Sequence, residues 1–413
     1  MAVFGVFERP DLFFLDRAFN LRGDEQPHPA VAIAAISQED FERGGPRWPW
    51  PRSLMARLVD QLAEQRPAVI AIDIQYAETS NTDTLLTREQ YSQIRPYVFQ
   101  VLRRTELEIQ TQDGVRTIGP GTEAFDEIVL GKASADAQDQ ELTDAVASGV
   151  PVVMAAQTVS SPGVQGVIRP YASLLAASRN TLGLAGVRLD DDGVLRRYLP
   201  YGVDESGNLI YGLAVVAVSK YLDTPLPRSP LPGGDVLLGD ETVVEVENGS
   251  FLVNFPGPPG THLTVTAGDI LNGRPEIDGL LTGKIVFIGV SDPSAEDVVP
   301  TPYSGTDRMA GVEFHAAAAG TILQNRFIET TSTYQVVLII VGLSLVAVAM
   351  GRFVRPAYGM AGALAVTGGL LGAWFVLFSE TNYSLSIAGP LTALVAGYAV
   401  AIADWVGVEQ LNM

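Results

Sequence analysis

Three long apolar runs occupy the end of the chain and are separated by two short polar breaks. The runs cover residues 334–350, 358–378 and 385–402, and none of them carries a charge in its interior. An α-helix needs roughly 20 mostly apolar residues to cross a bilayer, and about 17 is the lower bound. Three consecutive charge-free runs are unusual for the buried helices of a soluble core, so the pattern predicts three transmembrane helices.

The two polar breaks differ in charge, and this difference predicts the orientation of the helices. Residues 351–356 contain Arg352 and Arg355 and no acid, whereas residues 379–384 contain Glu380 and no base. Lysine and arginine in short loops favour the cytoplasmic side of a membrane. We therefore expect the arginine loop in the cytoplasm and everything before the first run outside it.

Short apolar stretches and helical patterns alternate in the part of the chain before these runs. Nearly continuous apolar stretches of roughly four to eight residues are typical of buried strands. The predicted strands cover residues 30–36, 68–74, 150–156 and 284–290. The predicted helices cover residues 11–22, 53–65, 138–147, 210–221 and 311–324. The alternation predicts an α/β fold with a mixed, mainly parallel sheet covered by helices.

Turn sequences predict further strands, because glycine adopts a positive φ easily and Asn-Gly is a strong hairpin signal. The predicted hairpins join residues 183–189 to 195–201 through a turn at 190–193, residues 242–246 to 250–254 through a turn at 247–249, and the two halves of residues 106–118. A helix at residues 91–104 is predicted within a polar insertion at residues 78–126. Only five residues, 329–333, separate the last predicted helix and its polar end from the first apolar run.

Composition restricts the classes of function. The chain has 413 residues and a formal net charge of −20, nearly all of it before the apolar runs. Its length suits one large domain, residues 1–333, followed by a membrane anchor, residues 334–413. An acidic surface excludes a general binder of nucleic acid or anionic lipid, because both require basic patches. The absence of cysteine from the sequence excludes disulfides, thiolate metal sites and a cysteine nucleophile.

Several motifs occur in an order that points to one family. They are Trp48-Pro49-Trp50-Pro51-Arg52, Ala71-Ile72-Asp73-Ile74, Asp190-x-Asp192-Gly193 followed by Arg196-Arg197, Gly283-Lys284-Ile285-Val286-Phe287-Ile288-Gly289, Asp297 with Thr301-Pro302, and Gly311-Val312-Glu313-Phe314-His315-Ala316. Together they resemble the CHASE domains of the second type, which are extracellular sensory domains associated with cyclases and histidine kinases. The resemblance covers about residues 12–327.

The resemblance implies a multi-pass protein of the bacterial inner membrane with its large domain on the periplasmic or extracellular side. It also implies a membrane helix before the domain and a cytoplasmic cyclase, kinase or phosphatase after the third helix. Residues 1–7 are too short for a signal peptide or a span, so we expect an upstream helix missing from this sequence. Few residues follow the third run, so we expect a partner to supply any output.

Three functions remain open. The first is a membrane-anchored sensory or interaction module without catalytic output of its own. The second is a structural accessory subunit of a larger membrane complex, such as a photosynthetic or respiratory assembly, and the third is the sensor fragment of a cyclase or histidine kinase receptor. The sequence contains none of the common catalytic or nucleotide-binding motifs, so we expect neither an enzyme nor a cofactor. The expected partners are the lipid bilayer and either an integral membrane protein or a second copy of the chain.

The carboxylates at the strand ends are candidate ligand-binding groups. Asp73 follows a predicted buried strand, at the edge where open α/β sheets bind their ligands. Asp40 and Asp297 are candidates to join it in a site for a cation or an amine. The alternative is that Asp73 caps a turn or pairs with Arg52.

The remaining candidates are aromatic, basic and imidazole side chains. Trp48 and Trp50, beside Arg52, are suited to stack on a ligand, although tryptophans next to prolines are more often packing anchors. His315 is a candidate ligand-binding residue or a buried, hydrogen-bonded histidine. No second histidine lies at ligand spacing, so we expect no metal site. The acids at 190–192 resemble half of a calcium loop, but a plain turn is the simpler interpretation.

Small residues in the apolar runs predict close helix packing. Gly368 and Gly372 form one small-xxx-small pair, and Ala393, Gly397 and Ala401 form a second series. Such faces let helix backbones approach each other closely. They serve either packing among the three helices or contact with a membrane partner.

Overall fold

The structure is a computed structural model that describes residues 5–42, 48–79, 107–111, 114–118, 131–161, 164–292, 297–303 and 308–411. The helix predicted at residues 91–104 lies outside the described residues. The helices are α1 (Gly5–Arg22), α2 (Gln38–Glu42), α3 (Arg52–Glu64), α4 (Gly131–Val146), α5 (Ala172–Ala177), α6 (Leu213–Tyr221), α7 (Ala267–Leu271), α8 (Gly311–Gln324), α9 (Thr333–Phe353), α10 (Pro356–Thr381) and α11 (Ala388–Leu411). A short 3₁₀ helix covers Pro275–Ile277.

The strands are β1 (Val31–Ile36), β2 (Val69–Ile72), β3 (Leu107–Thr111), β4 (Gly114–Ile118), β5 (Val152–Ser161), β6 (Val164–Ile168), β7 (Leu182–Leu184), β8 (Arg197–Tyr198), β9 (Tyr201–Val203), β10 (Leu209–Tyr211), β11 (Val236–Leu238), β12 (Thr242–Val244), β13 (Phe251–Leu252), β14 (Thr264–Thr266), β15 (Ile285–Val290), β16 (Val298–Val299), β17 (Met309–Ala310), β18 (Glu329–Thr330) and β19 (Tyr383–Ser384).

A seven-stranded sheet forms the centre of the domain, in the order β14-β1-β15-β2-β5-β6, with β7 also paired to β5. Every pair in it is parallel except β5 with β6. The register of β1 against β15 runs from Val31 opposite Ile285 to Ile36 opposite Val290. The four strands predicted from apolar stretches are therefore confirmed, and so is the mixed, mainly parallel α/β fold.

Helices cover both faces of this sheet, which explains why its central strands are apolar at nearly every position. Alternate side chains such as Ile33 and Phe287 face a core that is completed by α1, α6 and α8. Their neighbours, such as Ala34 and Ile288, face a second core completed by α3, α4 and α7.

Two of the predicted hairpins are wrong in their pairing. The turn at 190–193 forms, with the Gly193 N–H donating to the Asp190 carbonyl at 2.8 Å, but the segments on either side do not pair with each other. Instead β7 joins the large sheet, and β8 pairs with β13. Likewise β12 pairs with β11 rather than with β13. The third predicted hairpin is confirmed as β3 and β4.

Within the described residues, three helices are long and apolar enough to cross a membrane: Thr333–Phe353, Pro356–Thr381 and Ala388–Trp405. They match the three apolar runs. Glycine and alanine allow α9 and α11 to pack closely, because a Cβ on Gly397 would lie 3.0 Å from the Ala347 Cβ, and Ala401 lies against Gly351. By contrast, the Cβ positions of Gly368 and Gly372 on α10 have nothing within 4 Å.

Candidate functional site

The start of α8 lies at the carboxyl ends of the parallel strands. A Cβ on Gly289 of β15 would lie 2.4 Å from the Val312 side chain, so only glycine allows the helix this close to the sheet. The first N–H of the helix, from Gly311, donates to the Asp297 carbonyl at 3.1 Å. Asp73 follows β2 and donates its N–H to the Ile288 carbonyl at 2.8 Å. Sheet and helix thus direct two acidic residues to one place.

We call Asp73, Tyr198, Asp297 and His315 the acid–histidine cluster. His315 is 1% exposed, and its Nδ1 atom lies 3.0 Å from the Tyr198 hydroxyl. Its Nε2 atom lies 3.7 Å from Oδ1 of Asp73. The Ala214 N–H donates to the same Tyr198 oxygen at 2.8 Å. This favours the hydroxyl as the donor to Nδ1, and it leaves the ring proton on Nε2, on the side of Asp73.

Burial dominates the electrostatics of the cluster. It raises the pKa of Asp73 to about 7. Burial and the charge of Asp73 raise the pKa of Asp297 to about 6. Burial lowers the pKa of His315 to about 4, although Asp297 opposes this shift. The cluster therefore disfavours every charged form of its own members.

Within the described part of the chain, no lysine or arginine forms an ion pair with Asp73 or Asp297. Nor does any group of three or more histidine, aspartate or glutamate side chains there have an arrangement that could hold a metal ion. The side chains of the cluster are suited to hydrogen bonding and proton exchange.

Asp40, which was a candidate to join Asp73, lies elsewhere. Its Oδ1 atom accepts a hydrogen bond from the Gly268 N–H at 2.8 Å, at the start of α7. Its Oδ2 atom accepts one from the Ser37 N–H at 2.9 Å. Asp40 therefore connects α2 to α7, and the structure does not bring it to the cluster.

Arg52 and the two tryptophans also lie outside the cluster. Arg52 forms an ion pair with Asp139, and its guanidinium lies 5.6 Å and 5.1 Å from the ring centroids of Tyr76 and Tyr171. The interpretation that Arg52 pairs with Asp73 is therefore wrong. Trp50 is buried and Trp48 is half-buried in the core beside α3, which is the packing alternative.

A buried arginine, which the sequence analysis named only as part of a family motif, explains the acidic turn. Arg196 is 1% exposed and binds both oxygens of Asp16, at 2.6 and 2.7 Å. It also contacts Asp190 at 3.0 Å and Asp192 at 2.7 Å. The acids at 190–192 thus bind an arginine, and through Asp16 this arginine connects the turn to α1. The spacing Asp-x-Asp-Gly-x-x-Arg was the available signal.

The other end of α8 leads directly to the membrane helices. Asn325 ends the helix in the left-handed conformation, with φ of 50°. The strand β18 follows, and it pairs in parallel with β19, Glu329 opposite Tyr383 and Thr330 opposite Ser384. The short connection before α9 is thus a strand held by the loop between the second and third membrane helices.

Polar side chains extend this junction of β18 with β19. We call the two connecting segments, residues 325–335 and 380–387, and the side chains bonded to them the seam. The side-chain oxygen of Asn382 accepts hydrogen bonds from Asn254 and Arg326, both at 3.2 Å. The side-chain oxygen of Asn254 accepts one from Arg22 at 2.8 Å. The guanidinium of Arg22 lies 5.0 Å from the ring centroid of Phe378 in α10. The domain and the membrane helices therefore share one hydrogen-bonded network.

The helix α1 strengthens the seam. Oδ1 of Asp11 accepts hydrogen bonds from the N–H groups of Ile387 and Ala388, at 3.1 and 3.0 Å, where α11 begins. A carboxylate at a helix N-terminus satisfies free N–H groups and is favoured by the helix dipole. Phe14 packs edge-on against Trp374 at 5.9 Å. Both contacts fix α1 against the membrane helices.

Comparison with known proteins gives one family. The family model described as the CHASE2 domain matches residues 1–349. No curated protein and no solved structure matches the chain. The match covers most of the chain, and it includes the acid–histidine cluster, the buried Arg196 and the start of the first membrane helix. This chain therefore belongs to the CHASE2 domain family.

Proposed function

We propose that this chain is a membrane-anchored sensory module in which the acid–histidine cluster receives the signal and α8 carries it to the seam. The observation that supports this most directly is the position of α8. Its first residues lie against Asp297 and Asp73, and its last residue lies five positions before β18. One helix thus contacts the cluster at its start and ends five positions before the strand that leads into the first membrane helix.

The packing of α8 makes it suited to transmit a displacement. Every residue from Gly311 to Ile322 is buried. Close-packed interiors pass strain on rather than absorb it, because they contain few voids into which side chains can move. The four residues between Gln324 and Glu329 span at most about 14 Å when fully extended. Because this connection is short, a shift of α8 is passed on to β18 with little loss.

In this proposal, residues 1–333 form the domain outside the cytoplasm and residues 334–413 form the anchor in a bacterial inner membrane. Two features support the placement. The loop that contains Asn382 contacts the domain, so it lies on the domain side of the membrane helices. The arginines of the other loop lie at the far end of a 21-residue helix, about 30 Å away.

Hydrogen exchange tests the proposal in the full chain reconstituted in lipid nanodiscs. The variant His315→Gln changes the cluster while keeping a polar side chain. We expect it to alter exchange in α8 and also at residues 325–335 and 380–387, which form the seam. The matched control is Asp40→Asn, because Asp40 is a buried carboxylate that holds α7. It should change exchange at α7 and leave the seam as it is. If His315→Gln changes hydrogen exchange in α8 but leaves exchange at the seam unchanged, the proposal is overturned.

A scaffold subunit is the second candidate, and the seam is the observation that favours it. Arg22, Asn254, Asn382 and Asp11 fix the domain in one pose by direct contacts. The open face around Gly368 and Gly372 suits a membrane partner. Native purification separates the candidates, since stoichiometric recovery with a larger integral complex supports the scaffold, and a free homodimer supports the sensor.

A further inference from the structure

We infer that the acid–histidine cluster is a proton-binding site, and that the proton is the ligand to which this module responds. The first half of the inference stands on the cluster alone. The second half rests on the proposed function.

The burial of His315 and Asp73 favours a proton at these two residues over a larger ligand, whereas Asp297 is exposed. The His315 side chain is 1% exposed and the Asp73 side chain 11%. These surfaces are too small to hold an amine or a carboxylic acid without opening the fold. A proton needs no cavity, and a carboxyl group that is 11% exposed can still exchange protons with water.

Among the residues that the structure describes, no lysine or arginine gives the acids of the cluster a fixed counter-charge. Asp73 comes from the end of β2, Tyr198 from β8, Asp297 from the residue before β16, and His315 from α8. Glu313, two residues before His315, points elsewhere, because its carboxylate accepts the Gly260 N–H and lies 3.5 Å from His262. Asp297 is exposed, so the cost of ionisation falls mainly on the largely buried Asp73 carboxyl, and protonation of Asp73 removes this cost.

The electrostatics agree with the geometry. The pKa of Asp73 is raised by burial to about 7, and that of Asp297 is raised by burial and by Asp73 to about 6. The pKa of His315 is lowered by burial to about 4, so the imidazole stays neutral and does not serve as the missing cation. Since the two acids interact, their two protons leave in two steps that belong to the pair.

Loss of these protons acts on the start of α8. Oδ1 of Asp297 lies 2.8 Å from the position that a Cβ on Gly311 would occupy, and the Asp297 carbonyl holds the first N–H of the helix. Repulsion between two ionised carboxylates therefore pushes on the residue that holds the helix N-terminus. The charge on ionised Asp73 also attracts the Nε2 side of His315, which lies 3.7 Å from Oδ1 of Asp73. Both changes move α8 relative to the sheet.

Infrared spectroscopy of the full chain in nanodiscs tests the inference, because a protonated carboxyl group has its own carbonyl-stretching band. The titration runs from about pH 4 to about pH 9, a range that covers both groups. In the wild-type chain we expect this band to disappear in two steps, the later one near pH 7. Asp73→Asn should remove the later step and move the remaining step to lower pH, because Asp297 loses its charged neighbour. Asp191→Asn, which replaces an exposed carboxylate, should keep both steps.

The outcomes separate the inference from the function on which it rests. A folded wild-type chain without a protonated-carboxyl band between about pH 5 and about pH 7 overturns the proton site, and this result needs no variant. A band that survives unchanged in Asp73→Asn overturns it as well. If the two steps are present but hydrogen exchange at the seam is the same at both ends of the titration, the proton site stands and the sensory coupling fails.

Discussion

Two ionisable side chains in the interior of this domain are accommodated in different ways, one as a paired charge and the other as a neutral acid. Arg196 stays charged in the interior because three carboxylates surround it. Asp73 has no such partner in the described part of the chain, and it is neutral at mildly acidic pH because burial raises its pKa to about 7. The first arrangement fixes a structure, whereas the second leaves a group free to change its charge near physiological pH.

The ion pairs of Arg196 predict that substitutions at two adjacent arginines differ greatly in their effect on the free energy of unfolding. Arg196→Gln leaves Asp16, Asp190 and Asp192 close together without a cation, so we expect it to lower the free energy of unfolding by about 3–5 kcal/mol. The matched control is Arg197→Gln, because Arg197 is only partly buried and, among the described residues, its ion pair is with Asp190 at 3.6 Å. We expect the control to cost less than about 1 kcal/mol. Denaturant unfolding of both variants measures the difference, and equal losses would refute the role given to Arg196.

The unpaired carboxyl predicts how stability depends on pH. An ordinary aspartate has a pKa of 3.8, whereas the pKa of Asp73 is about 7 in the folded chain, so the folded state holds a proton that the unfolded state has lost. The stability contributed by this group is complete below about pH 4 and is lost as the pH rises to about 7. Asp73→Asn should therefore unfold at a higher temperature than the wild type at about pH 8. The advantage should shrink on acidification to about pH 5, and an advantage that is independent of pH would contradict the assignment.

At the scale of elements, periodicity in the sequence predicted most strands and helices, but it did not predict which strands pair. The central strands β1, β2, β5 and β15 are apolar on both faces, so each can be recognised from its own sequence without knowledge of its neighbours. The turn at 247–249 forms, with the Ser250 N–H donating to the Glu247 carbonyl at 3.2 Å. The strands around it pair with distant partners, because a turn sequence determines a local bend and the rest of the fold determines the neighbour.

Glycines on different membrane helices predict different outcomes for the same substitution. Gly351→Ala places a Cβ against Ala401, so it should force α9 and α11 apart and destabilise the helices by about 1–3 kcal/mol. Gly368→Ala fills open space and should leave the stability of the isolated chain unchanged. Thermal unfolding in detergent measures both. If Gly368→Ala is as damaging as Gly351→Ala, then α10 packs within the bundle in a way that this structure does not show.

At the scale of the whole molecule, the seam places the Glu380 loop and the domain on one side of the membrane helices. A topology reporter fused at Glu380 should therefore behave as external, and one fused after Gln410 should behave as cytoplasmic. The charge of the arginine loop gives the same expectation. The reverse pattern would place the domain in the cytoplasm and would overturn its assignment as an extracytoplasmic sensor.

Only part of the candidate site could be predicted from the sequence. Asp73 was proposed because residues at strand ends collect at one edge of a parallel sheet. Asp297 lies seven positions after β15 and was proposed only as a residue that could join Asp73. Asp40 follows a neighbouring strand but turns toward α7, and no pattern in the sequence shows that direction. Tyr198 comes from β8, outside the large sheet, so only the tertiary structure brings it to His315.

The pairing of β18 with β19 has a mechanical consequence. A domain attached to a membrane through a single strand can swivel about the membrane normal. Here β18, which leads into α9, pairs with β19, which follows α10. The domain is therefore connected to the membrane helices at two points, and this pairing restricts its rotation. A tilt about an axis perpendicular to the line through the two points lowers one strand relative to the other. Such a tilt would change the relative depth of α9 and α10 in the bilayer, which is a displacement along the membrane normal rather than a rotation about it.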